Sequence, residues 1–146
     1  MKEALQERLN VLNRQFKAVD AIYRNAANYF GIPESAFWIL YIVSDGEQYT
    51  QYDLCSTWFY SKQTINSAIS KLVAEGFITL ESKMDARNRK IIKLTTKGKR
   101  IIASTINRVK DAEVRAFESM DESDRTEFIR LFGKYLQNLN SEISNV

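Results

Sequence analysis

The sequence contains no histidine and only one cysteine, Cys55, among 146 residues. Histidine and cysteine zinc sites and histidine-based triads therefore cannot be built. A lone cysteine excludes an internal disulfide and fits a reducing compartment. Proline occurs once, at Pro33, and glycine five times, at positions 31, 46, 76, 98 and 133. Those glycines form neither a phosphate-binding loop nor a dinucleotide fingerprint. No run of ~18 apolar residues is present, so no membrane span is expected. The opening MKEALQERLN is charged throughout and lacks a signal-peptide core. Flexible linkers, internal repeats and low-complexity tracts are absent too. Carboxylates and tyrosines occur, but none pair at catalytic spacing. The expectation is a cytoplasmic protein with no catalytic site, no metal and no cofactor.

What is present is the composition of a globular protein, with 45% hydrophobic and 27% charged residues. Leu5, Leu9, Leu12, Phe16, Val19, Tyr23, Ala26 and Phe30 alternate steps of four and three, an unbroken heptad seam. They predict one helix over residues 3–30 and helix–helix pairing, between chains if the seam has no partner within its own. Gly31 ends that helix, and Pro33 suits the first turn of the next. Pro33 to Ser44 is apolar on nearly every side and reads as a buried central helix. Asp45-Gly46-Glu47 is turn chemistry. Thr50 can cap a short helix over 51–57, with Asp53 completing a weak capping box. That helix buries Leu54, and Cys55 beside it reads as a buried structural thiol. Trp58-Phe59-Tyr60 forms an aromatic turn. From Thr95 or Thr96 one long helix is expected to run to Met120. Asp121 then caps a last amphipathic helix through Val146.

Residues 61–100 stand between these arms. Ser61 can cap a helix whose apolar face is Ile65, Ile69, Leu72 and Val73, and Gly76 closes it. Two β-prone runs, 77–82 and 90–95, flank a polar basic loop and predict a hairpin. The segment holds ten basic and three acidic residues, a net of +7, so the remaining residues sum to −4 within the total of +3. A basic segment on an acidic body is the footprint of a nucleic-acid binder. A solvated lysine-rich face is the alternative that charge alone leaves open. Two short helices followed by a hairpin make a winged helix-turn-helix.

Three short stretches carry a family resemblance. Leu72-Val73-Ala74-Glu75-Gly76-Phe77-Ile78 matches a helix–glycine–strand element, Asp85-Ala86-Arg87-Asn88-Arg89-Lys90 a wing signature, and Leu94-Thr95-Thr96-Lys97-Gly98 an L-T-x-x-G element. In this order, between helical arms, they resemble the MarR family of bacterial transcription regulators. The resemblance implies a mainly α fold: a winged helix-turn-helix with a small hairpin wing, flanked by terminal helices that form a dimerisation lobe. Residues 1–31 and 97–146 would supply that lobe and 32–96 the reader. It implies a homodimer on a pseudo-palindromic operator in double-stranded DNA, acting as a repressor of nearby genes relieved by a small, often aromatic effector. The wing departs from the family at Asn88 and Lys90, where aspartate and arginine are usual. Asn88 lacks a charge-assisted hold on its neighbours, and Lys90 cannot form a planar fork. A protein–protein adaptor built on the same fold is the competing function, but it has no need of a +7 segment and would favour an exposed apolar patch there.

The side chains suggest a division of labour on DNA. Gln63 and Asn66 share a helix face, and either amide can pair bidentately with adenine. Ser61, Thr64 and Ser67 are short donors for phosphates or bases. Lys62 and Lys71 suit phosphates, which set register but not sequence. Thr50 and Gln51 begin the first helix of the motif, where backbone amides can face a phosphate. Lys83 and Lys90 add charge to the hairpin, and Arg87 and Arg89 are both candidates for the minor groove. Tyr23, Phe37, Trp38 and Tyr41 either pack as ordinary core or line an effector cleft; core is the simpler reading.

Overall fold

The computed structural model describes residues 2–57, 61–82 and 89–146. Its elements run α1 (Lys2–Tyr29), α2 (Glu34–Val43), α3 (Gln51–Thr57), α4 (Lys62–Ala74), β1 (Ile78–Ser82), β2 (Lys90–Leu94), α5 (Thr96–Ser104), α6 (Ile106–Glu118) and α7 (Glu122–Ile143). This is the mainly α, winged helix-turn-helix architecture expected from the sequence. The aromatic turn 58–60 and the wing tip 83–88 lie outside the described residues. The chain divides into two compact units, Met1–Asn107 and Arg108–Val146.

The first unit is built around α2. Phe37, Ile39 and Leu40 are fully buried there, together with Leu54 of α3, Ile65, Ile69 and Leu72 of α4, and Ile78 of β1. Each such side chain contributes roughly 1.5–3 kcal/mol by leaving water. Ala68, not Val73, completes the buried face of α4, since Val73 remains exposed. Val73 follows Leu72 directly, and adjacent helical positions point about 100° apart. Helix α1 meets α2 through Tyr23 and Trp38, ring centroids 4.9 Å apart, and an exposed Arg24–Glu34 pair at 3.4 Å. Only Ala27 of α1 is buried, and Leu5, Leu9 and Val19 of the heptad seam face solvent.

Glycine and hydroxyl chemistry sets the element ends. Gly31 and Gly76 both adopt positive φ, +66° and +74°. At each, the next residue's N–H reaches back to close the helix: Ile32 to Ala27 O and Phe77 to Leu72 O, both 2.9 Å. Pro33 sits at the N-cap of α2, one residue before the first turn predicted for it. Thr50 and Asp53 do form a reciprocal cap. The Thr50 N–H and hydroxyl each donate to Asp53 Oδ2 at 2.7 Å, and the Asp53 N–H returns to Thr50 Oγ1 at 3.3 Å. Thr50 also bridges Ile91 of β2, and Ile92 N–H donates to Tyr49 O at 2.8 Å. The wing is therefore tied to the start of α3 as well as to its own partner strand, with Ile78 opposite Leu94 and Ser82 opposite Lys90.

A second junction ties α4, the wing and α5. Thr95 Oγ1 donates to Gly76 O at 2.6 Å and accepts from Gly98 N–H at 2.9 Å. Lys97 donates to Glu75 O at 2.7 Å, at the electronegative end of α4, and lies 4.7 Å over the Phe77 ring. Gly98 is buried against this turn. A Cβ there would overlap Phe77 O and sit 3.0 Å from Phe77 C and 3.2 Å from Leu94 Cδ2.

The single long helix expected from Thr96 to Met120 is instead broken at Thr105, whose φ and ψ are −130° and −75°. Ser104 Oγ bonds back to Arg100 O and Ile101 O, and Thr105 Oγ1 to Ile101 O at 2.6 Å. Two adjacent hydroxyls that bond preceding carbonyls compete with the helical ladder and bend it. The periodicity of the apolar residues carries no trace of this. In the second unit, Asp121 occupies the N-cap of α7 without a side-chain cap bond. Arg125 holds that turn instead, donating to Met120 O at 2.6 Å and Glu118 O at 3.2 Å. Glu127 and Arg130 pair through two bonds of 2.7 and 2.6 Å, which lowers the Glu127 carboxyl below its ordinary pKa. Phe128 and Phe132 stack at 5.9 Å, while Ile129, Leu136 and Ile143 are exposed.

Two substitutions test this account of the junctions. Gly98→Ala should lower the urea midpoint with an unchanged m-value, a loss of about 1–3 kcal/mol from overpacking against backbone that has no room to give. Asp53→Ala should remove the α3 cap at a cost of about 0.5–2 kcal/mol in the same assay. An unchanged midpoint in either variant contradicts the corresponding contact.

Candidate nucleic-acid interface

Helix α4 presents one continuous polar face. Ser61, Lys62, Gln63, Thr64, Ser67 and Lys71 are all exposed, while Ile65, Ala68, Ile69 and Leu72 anchor the opposite side. The anchor matters as much as the face, because a helix seated by four buried side chains holds its outward groups at fixed spacing. Ser61 caps the helix, accepting from Thr64 N–H at 3.1 Å, and its hydroxyl pairs with Thr64 Oγ1 at 2.8 Å. Asn66 differs from its neighbours. It is half-buried, and its Oδ1 accepts from Gln51 Nε2 across the α3–α4 pair.

The other residues singled out from sequence fall into three groups. Gln51, Lys62, Asn66, Arg89 and Lys90 come together around a cleft of about 630 Å³ between α3, α4 and the wing. Thr50 also borders that cleft, but it is only 4% exposed and its hydroxyl and N–H are both engaged by Asp53. Its role is to cap α3 and hold the wing, in place of the phosphate contact expected of it. Gln63, Thr64, Ser67 and Lys71 lie along a second groove of about 380 Å³, whose far wall is the start of α2 at Pro33 and Ser35. Lys83 and Arg87 lie outside the described residues, as does Asn88, so the wing is described only from Arg89 onward.

Two residues at this face were not singled out for it by the sequence. Tyr52 is 61% exposed beside Gln51 and lines the larger cleft. Its position next to a capped helix start was the available signal. Cys55 is half-buried and borders the same cleft, less enclosed than the core thiol expected beside Leu54. In a seven-residue helix one side chain, Leu54, suffices to reach the core.

The aromatic residues gather as a quartet. Trp38 lies 4.9 Å from Tyr23, 5.4 Å from Tyr41 and 5.5 Å from Phe37, centroid to centroid. Phe37 is fully buried, and the other three are half-buried. Just beyond α2, Tyr49 donates its hydroxyl to Asp45 at 2.5 Å. That hydrogen bond, with the nearby carboxylate charge, raises the tyrosine pKa above its ordinary value. Among the described residues, no three of cysteine, aspartate and glutamate gather within metal-ligating reach. No helix among them is long and apolar enough to cross a membrane.

Comparison with known proteins places this geometry. Residues 30–88 match the sequence model of the MarR family. Among curated proteins, none matches the chain in sequence. Solved structures share the fold at low identity. A MarR family regulator from Neisseria meningitidis superposes with a TM-score of 0.79 at 17% identity, covering 94% of this chain and 97% of that one. A MarR transcriptional regulator from Methanosarcina mazei gives 0.65 at 23% identity, covering 88% and 98%. Staphylococcus aureus MarR, solved in complex with salicylate and kanamycin, gives 0.73 at 16% identity, covering 94% and 93%. Over residues 30–88 the chain is similar in sequence to the MarR family, and it shares a winged helix-turn-helix fold with these regulators.

Proposed function

We propose that the protein is a homodimeric, sequence-specific DNA-binding transcription regulator acting in the cytoplasm by binding rather than catalysis. The observation that carries this reading is the exposed polar face of α4, from Lys62 to Lys71, set on four buried anchors and followed at once by a basic hairpin. Gln63 sits mid-face with an amide suited to base edges in the major groove. Lys62 and Lys71 flank it as phosphate contacts, and Arg89 and Lys90 carry the charge of the hairpin toward the backbone or minor groove. Ser61, Thr64 and Ser67 supply short donors between them.

The dimer is supported by apolar surface left exposed on the terminal helices: Leu5, Leu9 and Ile22 on α1, and Ile129, Leu136 and Ile143 on α7. Such surface in water is an association site. A two-fold pair of readers matches a pseudo-palindromic operator with half-sites about one helical turn, ~34 Å, apart. Repression of nearby genes, relieved by a small aromatic effector, completes the proposal. The half-buried rings of Tyr23, Trp38 and Tyr41 are its candidate contact, while Phe37 belongs to the core.

Fluorescence anisotropy against DNA flanking the gene, over a salt series, tests this reading. Lys62→Ala should weaken binding to every sequence and reduce the salt slope by about one unit. Gln63→Ala should cost about 1–3 kcal/mol at particular base pairs and leave the slope unchanged. If both variants behave alike, the division into phosphate and base contacts fails. No binding at low salt, even to random sequence, overturns the DNA-binding reading altogether. Sedimentation equilibrium should return a dimer of the 16.9 kDa chain, and a monomer at micromolar concentration contradicts the two-fold arrangement.

A further inference from the structure

We propose that Tyr52 is a contact to the DNA backbone, its hydroxyl donating to a phosphate, an inference resting on the DNA-binding reading above. Thr50, just before α3, cannot serve, because Asp53 takes both its N–H and its hydroxyl. Two residues on, Tyr52 is 61% exposed. Among the described residues, none hydrogen-bonds its hydroxyl or stacks on its ring. The donor is therefore open to a ligand.

The side of α3 from which Tyr52 projects follows from how that helix is seated. Leu54 is 1% exposed and holds α3 in the core. Two helical positions lie about 200° apart, so Tyr52 leaves the helix on the side away from that anchor. Cys55, three positions on, borders the same cleft between α3, α4 and the wing, and marks the same side. The turn before Tyr52 is fixed by the Thr50–Asp53 cap and by the bridge from Thr50 to Ile91. Tyr52 thus stands at the cleft on a helix held at its start and at its core.

The charge of that cleft has one sign. Lys62, Arg89 and Lys90 line it, and among the described residues no aspartate or glutamate does. Three cations without a carboxylate draw a phosphate. In a helix-turn-helix the first helix crosses the backbone while the second enters the major groove. A side chain at the start of α3, facing the gap between α4 and the wing, therefore meets a phosphate and not a base edge. Tyrosine is among the side chains that make such contacts. Its phenol is a neutral donor, so it adds a hydrogen bond without displacing a further counterion. Lys62, by contrast, adds both.

Fluorescence anisotropy over a salt series, on the full-length protein and its Tyr52→Phe and Tyr52→Ala variants, tests this, with thermal unfolding of each. Tyr52→Phe keeps the ring and should unfold at the native temperature. It should bind every sequence about tenfold more weakly, the size of one hydrogen bond to a charged acceptor, with the salt slope unchanged. Replacing phosphates one at a time by neutral methylphosphonates should then reveal a position in each half-site where the change costs the native protein more than it costs Tyr52→Phe. Native affinity in Tyr52→Phe, even beside a loss in Tyr52→Ala, overturns the proposal, because the ring and not the hydroxyl would be at work. So do a flattened salt slope, a loss confined to particular base pairs, a lowered unfolding temperature in Tyr52→Phe, or the absence of any such phosphate. Those results leave DNA binding standing. A native protein that binds no DNA overturns both.

Discussion

The reader depends on one close backbone approach. Where α5 begins, Gly98 lies so near the carbonyl of Phe77 that no side chain fits between them. Thr95 then bonds the carbonyls of Gly76 and Phe77 while capping α5, and Lys97 lies over the end of α4. The C-terminus of α4, the root of the wing and the start of α5 are thereby fastened at one point. The cap at Thr50 fastens the other side, joining the start of α3 to β2. Between these junctions the polar face of α4 has little freedom to tilt against the wing. Under the proposed function, that rigidity is what a reader of two grooves requires, since a misaligned base contact contributes no specificity.

In the proposed regulator, the same packing offers a route by which a change elsewhere in the first unit reaches α4. Helix α1 packs on α2 through Tyr23 and Trp38, and α2 forms the core on which α4 sits. In the proposed regulator, a shift in the aromatic quartet would reach α4 through the buried core of α2. In the proposed dimer, regulation then acts on the spacing between two readers and leaves their base-facing chemistry intact.

Much of the architecture was legible because it rests on strong local signals. The α4 cap at Ser61, the turn at Gly76 and the paired β-prone runs each follow from a residue type with few alternatives. The polar face of α4 was equally readable, because one buried stripe leaves its opposite exposed. The break at Thr105 was not, because apolar spacing on either side continues the helix while the hydroxyls of Ser104 and Thr105 unmake it. Thr50 was assigned to DNA from its position at a helix start, but Asp53, the capping partner its spacing already suggested, takes both its hydroxyl and its N–H. The pairing of Gln51 with Asn66 and the placing of Tyr52 and Cys55 at the cleft depend on how two helices cross, which no spacing rule records.

The central claim is that two copies of α4 and the hairpin meet one face of a DNA duplex. Hydroxyl-radical footprinting of the native protein on the DNA flanking its gene tests it most directly. The account predicts protected patches in two halves related by a two-fold axis, centred about one helical turn, ~34 Å, apart, with added protection where the wings reach the backbone. Uniform protection, or a single unpaired patch, would contradict it.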